Sequence, residues 1–465
     1  MLHHRFPLAA LLLVCSLPLL ALSCTRQPSG PPNIVVILID TLRADRLGVY
    51  GDGRGLTPFL DRLAARGARF ANAYAASSWT MPSVASLFTS RYPTQHHVNT
   101  LEAKLSDSEV TLAETLVASG YAAAGFTANF HVSKELGYGQ GFDPWATFAP
   151  TRVGVAKLRG EVLRINSLHW LDARPASTPR PPLLLYYQYM EPHAPYEPPE
   201  PFRSRYARQY APGADARANL KMVQGQLWSM PPDEIALLSS LYDGEVAAVD
   251  EEVHRLYTDL DQRHLLDNSV LVITADHGEE FGERGGMGHG FTLFNEQLRV
   301  PLIILGPGIA ARTIDESVSL IDLAPTLVAL ARVAPPPSFE GRSLVPLLVG
   351  TPASPVDKPV DVVAELEPAG QKTDLRAHNA ALVRGSLKLL RSTDVNVPAQ
   401  IFDLARDPGE KSPNPPDLLA QRDPLFDHLL ERELALRLKP EVTPETVKLD
   451  DATREKLRAL GYQSE

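Results

Sequence analysis

Three apolar runs in this 465-residue chain lead to residues able to hold a cation, and a fourth segment offers a hydroxyl. "NIVVILID" closes on Asp40, "SVLVITADHG" reaches Asp276 and His277, and "LLLYYQYMEPH" leads to His193. In "SSWTMPSV", Thr80 precedes Pro82 by two residues, and proline is tolerated in a helix's first turn and no later. Carboxylates supply charge and hard oxygen ligands, and neutral imidazole completes the sphere, so a divalent cation suits the set. A cation touching the Thr80 hydroxyl would stabilise its alkoxide, which hardly exists at neutral pH, and a helix N-terminus would add donors for an anion. The chemistry indicated is metal-assisted attack on an anionic ester.

Each residue also has a plainer role. Thr80 serves equally as a helix cap, and Asp40 as the turn residue that ends a strand. His193, in "MEPHAP", can lie at the surface, and His289, in "GGMGHG", can be a loop residue. The Asp276–His277 pair is harder to place otherwise, because a charged pair straight after a buried strand needs a partner or water.

The elements that must position these residues are legible as runs. Ile34–Ile39, Leu183–Tyr187, Val270–Ile273 and Val300–Leu305 are short and almost wholly apolar, the pattern of strands buried on both faces. Helical periodicity is read over Pro58–Arg66, Glu109–Ser119 and Pro232–Leu260. Alternation of the two predicts an α/β fold, a doubly wound and mostly parallel sheet. In such sheets ligands bind beyond the carboxyl ends of the strands, where Asp40, His193, Asp276 and His277 fall. After proline clusters at 335–337 and 352–359, "AALVRGSLKLLRS" and "AQIFDLARDPGE" predict a small antiparallel sheet in a C-terminal α+β subdomain. The expected domains are a catalytic α/β domain over 33–350 and a C-terminal subdomain and tail over 351–465.

With 44% hydrophobic and 22% charged residues the chain is globular, and its net charge of −10 without a basic block excludes nucleic acid as an expected partner. Residues 1–23 have one early Arg and then an apolar run from Leu8 to Leu22, the profile of a secretory signal. "LALSC" resembles a bacterial lipoprotein signal in which Cys24 becomes lipidated, with 24–32 as a tether. The expected location is the bacterial cell envelope, lipid-anchored to a membrane and facing the periplasm or exterior. Both cysteines, Cys15 and Cys24, lie in this leader, so no disulfide or thiol chemistry is expected of the body.

"PNIVVILIDTLRADRLGVYG", "TPFLDRLAARGARFANAYAASSWTMPSVASLFTSRYP", "YMEPHAPYEPP", "LYDGEVAAVDEEV", "LVITADHGEEFGERGGMGHGFTLFNEQLRVPLIILGPG", "IDLAPTLVALA" and "IFDLARDPGE" follow one another in the order expected of the sulfatase family. The chain resembles that family, within the alkaline-phosphatase superfamily, over roughly residues 33–415. The resemblance implies a metal site at Asp40, Asp276 and His277, with the nucleophile Thr80 as a further ligand. It also implies that His193 and His289 contact the substrate's anionic group or leaving oxygen. Asn129, in "GFTANFHVSKELGYGQGFD", falls where many sulfatases hold a Lys and His pair, and is assigned to substrate binding.

Three departures bear on activity. Sulfatases place Cys or Ser at the nucleophile, for conversion to formylglycine, and an Arg shortly after; this chain has Thr80 and Val84. Thr41 stands where the family often has a second Asp. Threonine's extra methyl prevents formation of the aldehyde, whereas threonine nucleophiles occur in relatives that act on phosphoesters and phosphonates. The reading is therefore a metal-dependent hydrolase or transferase of phosphate, phosphonate or sulfate esters, with Thr80 as both cap and nucleophile. One divalent ion (Ca, Mg, Mn or Zn) is expected, with a small-molecule, glycan or lipid ester as substrate. The alternatives are a sulfuric ester hydrolase working without formylglycine and an inactive lipid-anchored binding protein.

Overall fold

The structure, a computed structural model, describes residues 30–148, 159–175, 180–211, 213–350, 360–366, 380–392, 394, 396–438, 442–448 and 454. The signal segment, Cys24 and most of the tether lie outside the described residues.

Eight strands form the central sheet: β1 (Asn33–Ile39), β2 (Ala68–Tyr74), β3 (Ala122–Thr127), β4 (Trp145–Thr147), β5 (Leu183–Tyr189), β6 (Ser269–Thr274), β7 (Arg299–Leu305) and β8 (Arg312–Ser319). Their order is β8-β2-β7-β6-β1-β5-β3-β4. β1 lies between β5 and β6, parallel to both, with Ile34 opposite Leu184 on one side and Val270 on the other. Every residue of β1 from Ile34 onward is buried, as are all of β5 and β6, because the sheet is covered on both faces. The one reversal is β7, antiparallel to both its neighbours, β6 and β2. The sheet is thus mostly parallel, as expected, but the Val300–Leu305 run lies in its reversed strand.

Five of the surrounding helices matter here: α1 (Pro58–Ala64), α2 (Thr80–Thr89), α3 (Leu112–Ala118), α4 (Glu161–Ala173) and α5 (Pro232–Gln262). α3 starts later than its apolar pattern suggests, because Thr111 and Glu114 form a reciprocal capping box. α5 carries its apolar face inward at Leu237, Leu241, Val246, Val249 and Val253, all buried. α2 is buried at every residue, so it is a core helix whose first turn ends inside the protein.

A second, antiparallel sheet contains β9 (Asp361–Glu365), β10 (Ala380–Arg384), β11 (Leu387–Arg391) and β12 (Gln400–Asp403) in that order. The expected C-terminal sheet is present, with β9 as an additional strand. It packs onto the main body: the Glu365 amide donates to the Ala76 carbonyl at 2.8 Å, and the Glu365 carboxylate takes the Thr94 amide at 2.8 Å. Val362, Ala364, Leu390 and Phe402 join the same apolar core as the central strands. Among the described residues no helix is long and apolar enough to cross a membrane.

Candidate active site

Strand ends and one helix start meet at a single edge of the sheet. Asp40 follows β1, Asn129 follows β3, His193 follows β5, and Asp276 and His277 follow β6, while β2 leads through Ser77–Trp79 into α2 and Thr80. One ligand atom from each of Asp40, Asp276 and His277 lies within 4.8 Å of the others, and all three residues are fully buried.

The hydrogen bonds leave the inward atoms of this trio facing one another. Asp276 Oδ1 accepts from the amides of Thr41 (3.2 Å) and His277 (3.0 Å). Asp40 Oδ2 accepts from Asn129 Nδ2 at 2.6 Å and Gln188 Nε2 at 3.4 Å. Asp40 Oδ1 and Asp276 Oδ2 have no hydrogen-bond partner among the described residues. His277 Nδ1 lies 2.9 Å from the Gly278 carbonyl, which fixes the proton on Nδ1 and turns the Nε2 lone pair inward. That Nε2 lies 3.2 Å from Thr80 Oγ1, 3.5 Å from Asp276 Oδ2 and 3.9 Å from Asp40 Oδ1.

Two buried carboxylate oxygens without a donor, beside an imidazole lone pair and a hydroxyl, fit a divalent cation. The electrostatics agree. Burial, and next the facing Asp276 carboxylate, push the Asp40 carboxyl well above the usual range, against the amides of Asn129 and Gln188. Burial holds His277 down to about 4, with His289 adding to the effect and Asp276 opposing it, so the imidazole is neutral at pH 7 and available as a ligand.

Local backbone features hold the geometry. Thr41 has φ +58°, unusual for a β-branched residue and costing about 1–3 kcal/mol. Its amide on Asp276 and its carbonyl, which accepts the Tyr242 hydroxyl at 2.8 Å, hold it there. At Gly278 a Cβ would lie 2.1 Å from the Glu296 carbonyl oxygen, so only glycine lets the chain after His277 pass. Ser83 Oγ donates to the Asp276 carbonyl at 2.6 Å and ties the first turn of α2 to the end of β6.

Thr80 corrects one expectation. The N-cap of α2 is Trp79; Thr80 is the first helical residue, buried, with its hydroxyl on His277 and no capping bond. One residue of register decides this, since a capping side chain must precede the first helical position.

The two remaining histidines are not loose. His193 is buried, with Nδ1 2.6 Å from the Ala194 carbonyl, and its ring centroid is 5.0 Å from that of His289. His289 lies 4.4 Å from His277 by ring centroids and places Nδ1 2.9 Å from Glu279 Oε1. The next residue, Gly290, donates its amide to the Ser78 carbonyl at 2.9 Å, holding the His289 loop beside the entry to α2. Asn129, expected at the substrate, points its amide nitrogen at Asp40 and its Oδ1 at the His131 amide, 2.9 Å away.

Sequence reasoning missed three members of this neighbourhood: Gln188, Glu279 and His131. His131 is buried, stacked on Phe130 at 4.3 Å, and held down to about 3 by burial and next by the charge of His289. Its place two residues after Asn129, and that of Glu279 two after His277, were the available signals.

The family model for sulfatases matches residues 32–333, and that for the C-terminal part of N-sulphoglucosamine sulphohydrolase matches 282–415. Human arylsulfatase A is 30% identical over 448 residues, covering 84% of this chain and 85% of that protein. Choline-sulfatase of Rhizobium meliloti is 26% identical, covering 82% of each. The crystal structure of the phosphonate monoester hydrolase of Agrobacterium radiobacter superposes with a TM-score of 0.69 at 20% identity, over 90% of this chain and all of that one. The chain belongs to the sulfatase family, within the alkaline-phosphatase-like superfamily, and is a sulfatase-like ester hydrolase. Members of the family use a divalent metal, and Asp40, Asp276 and His277 form a possible site for one.

Proposed function

We propose that the protein hydrolyses or transfers phosphorus esters, phosphate or phosphonate, with Thr80 as the nucleophile. The observation that carries this reading is the Thr80 hydroxyl 3.2 Å from His277 Nε2, beside oxygens of Asp40 and Asp276 that have no hydrogen-bond partner among the described residues. Asp40, Asp276, His277 and Thr80 would hold one divalent cation, which when bound lowers the pKa of the hydroxyl and offsets charge on the ester. Thr80 Oγ1 attacks phosphorus in line: the Thr–O–P bond forms, the bond to the leaving oxygen breaks, and the hydroxyl proton passes to solvent. His289, oriented by Glu279, gives a proton to the leaving oxygen; with water or another hydroxyl as the incoming group it takes the proton back. The incoming oxygen bonds to phosphorus, the Thr–O–P bond breaks, and the departing Thr80 oxygen takes a proton back from solvent, which restores the hydroxyl.

Sulfate suits this nucleophile less well, because a threonine sulfate ester has no hydrate route for elimination. The site is also short of fixed cations where sulfatases place them, since Val84 and Asn129 are neutral. The test is a panel of aryl phosphate, phosphodiester, phosphonate and sulfate esters, each run with Ca²⁺, Mg²⁺, Mn²⁺ and Zn²⁺. Turnover of a phosphorus ester with a phosphorylated Thr80 trapped by mass spectrometry is the expected result. Robust sulfate hydrolysis without phosphothreonine would restore a sulfatase working without formylglycine, and a metal-free, inert protein would support a binding role.

We also propose that the catalytic domain spans 33–350, with 351–465 as subdomain and tail, and that lipidated Cys24 anchors the protein in the bacterial envelope. The substrate would then be a small-molecule, glycan or lipid ester met outside the cytoplasm. Cys24→Ala should move the protein from the membrane to the soluble fraction; unchanged membrane association would refute the anchor.

A further inference from the structure

The excursion between β6 and β7 carries Glu279 and His289, and its far side is gripped by the C-terminal sheet rather than by the catalytic core alone. Lys388, on β11, is fully buried, with Nζ 2.7 Å from Glu410 Oε1 and 2.8 Å from Asn295 Oδ1. Glu410, the last residue of the "DPGE" turn and held at φ +50°, accepts the Asn295 amide on Oε2 at 2.6 Å. Arg284 donates to the carbonyls of Glu410 (2.8 Å) and Gly409 (2.9 Å), and pairs with Glu296 at 2.7 Å.

From there the bonds run to the active site. The Glu279 amide donates to the Glu296 carbonyl at 2.9 Å, and the Gly278 amide to the Gln297 carbonyl at 2.8 Å. The Glu280 carboxylate takes the amides of Arg284 (2.9 Å) and Gly286 (3.0 Å) and the Gln297 side chain (3.2 Å). Two cations, the buried Lys388 and the half-buried Arg284, thus face three buried carboxylates, Glu410, Glu296 and Glu280, in a network joined to the loop bearing His289. The Glu280 charge is met by the amides of Arg284 and Gly286 and the Gln297 side chain, while removing one partner of a charge pair there would be costly, so the five groups act as a unit.

We propose that Lys388 and Glu410 are positioning residues of the active site: the C-terminal sheet clamps the 278–298 excursion through them and so sets where Glu279 places His289. The composite site explains why "DPGE", more than a hundred residues after His289, belongs with the catalytic motifs. The catalytic consequence rests on the role given to His289 above; the clamp itself does not.

The experiment uses the full chain loaded with cation. In Lys388→Met/Glu410→Leu both charges leave together, so no unpaired charge is buried. Amide exchange across 284–298 should speed up about tenfold or more, while exchange in β1 and β6 and cation affinity stay at wild-type levels. On a phosphorus ester kcat should fall about tenfold or more with KM little changed, because a misplaced proton donor acts in the transition state. Arg284→Lys, which keeps the charge but cannot span both carbonyls, should show a smaller shift in the same peptides, and it serves if the double variant does not fold. Wild-type exchange across 284–298 in a folded variant would overturn the clamp, whatever the activity. Faster exchange in a protein that turns over no phosphorus ester would support the clamp and refute the functional reading instead.

Discussion

Asp40, Asp276 and His277 hang from two adjacent central strands paired in register from Asn33–Ser269 to Leu38–Thr274, whereas His193 and His289 sit on excursions held by carbonyls, Glu279 and the C-terminal sheet. Strand ends fixed on both sides can keep two like charges a few ångströms apart, which a loop would relax away from. Loops can instead present imidazoles to ligands of varied shape. On the function proposed above, the site would divide into a rigid cation side and a loop-borne substrate side, with Thr80 joining them from the start of α2.

That division can be broken at its joint. Thr80→Ala should lower turnover by about 10⁴-fold or more, since it removes the proposed nucleophile, while the protein stays folded. Thr80→Ser should keep part of the activity because the hydroxyl survives. If Thr80→Ala retains more than a tenth of wild-type kcat, Thr80 is a structural residue and another group attacks.

The two sides should then separate in kind. Asp276→Asn is expected to weaken cation binding by at least about a hundredfold by calorimetry, and activity should fall with it. His289→Gln should leave cation affinity close to wild type and cut kcat by about 10²–10⁴-fold, the usual worth of a general acid or base. Equal loss of cation affinity in both variants would show that the division is not real. Asn129 lies on the boundary: if its bond to Asp40 is its main role, Asn129→Ala costs about 10–100-fold in cation affinity. If it binds substrate instead, KM rises and the cation affinity holds.

The cluster of Asp40, Asp276 and His277 was legible in the sequence and its loop-borne surroundings much less so, for a physical reason. Asp40 and Asp276 follow continuous apolar runs, and a strand buried on both faces must deliver its next residue to the sheet edge. Asn129 follows β3, "AAAGFT", whose small residues show neither alternation nor a run, so only family resemblance reached it. The same blindness hid β2, "ARFANAY", and α4, whose pattern is mixed. The reversal of β7 is absent from its own residues, because strand direction is set by the connection and not by local composition. Glu279 pairs with His289 around the short antiparallel pair Glu280–Phe281 and Met287–Gly288, ten residues apart, and Lys388 with Glu410 across twenty-two, distances at which no periodicity carries information.

The smallest effect expected is a pH dependence that reports the burial of Asp40 and, next, its crowding by Asp276. In the metal-free protein burial and Asp276 raise the Asp40 pKa, so the folded state holds that proton more tightly than the unfolded chain does. The stability Asp40 contributes is then full below its unfolded pKa, about 3.9, and is lost as pH rises through the higher folded value, by at most about 1.4 kcal/mol per pH unit. Asp40→Asn cannot titrate and lacks this loss. With a chelator present, wild-type stability measured by urea unfolding should therefore fall relative to Asp40→Asn from pH 4 upward and level off once the folded carboxyl has ionised. Adding the cation at pH 7 should reverse the order, because the wild-type carboxylate gains a partner that Asn replaces poorly. A stability difference that is flat between pH 4 and 8 without metal would mean that neither burial nor Asp276 raises the Asp40 carboxyl, and the case for a cation between them would rest on geometry alone.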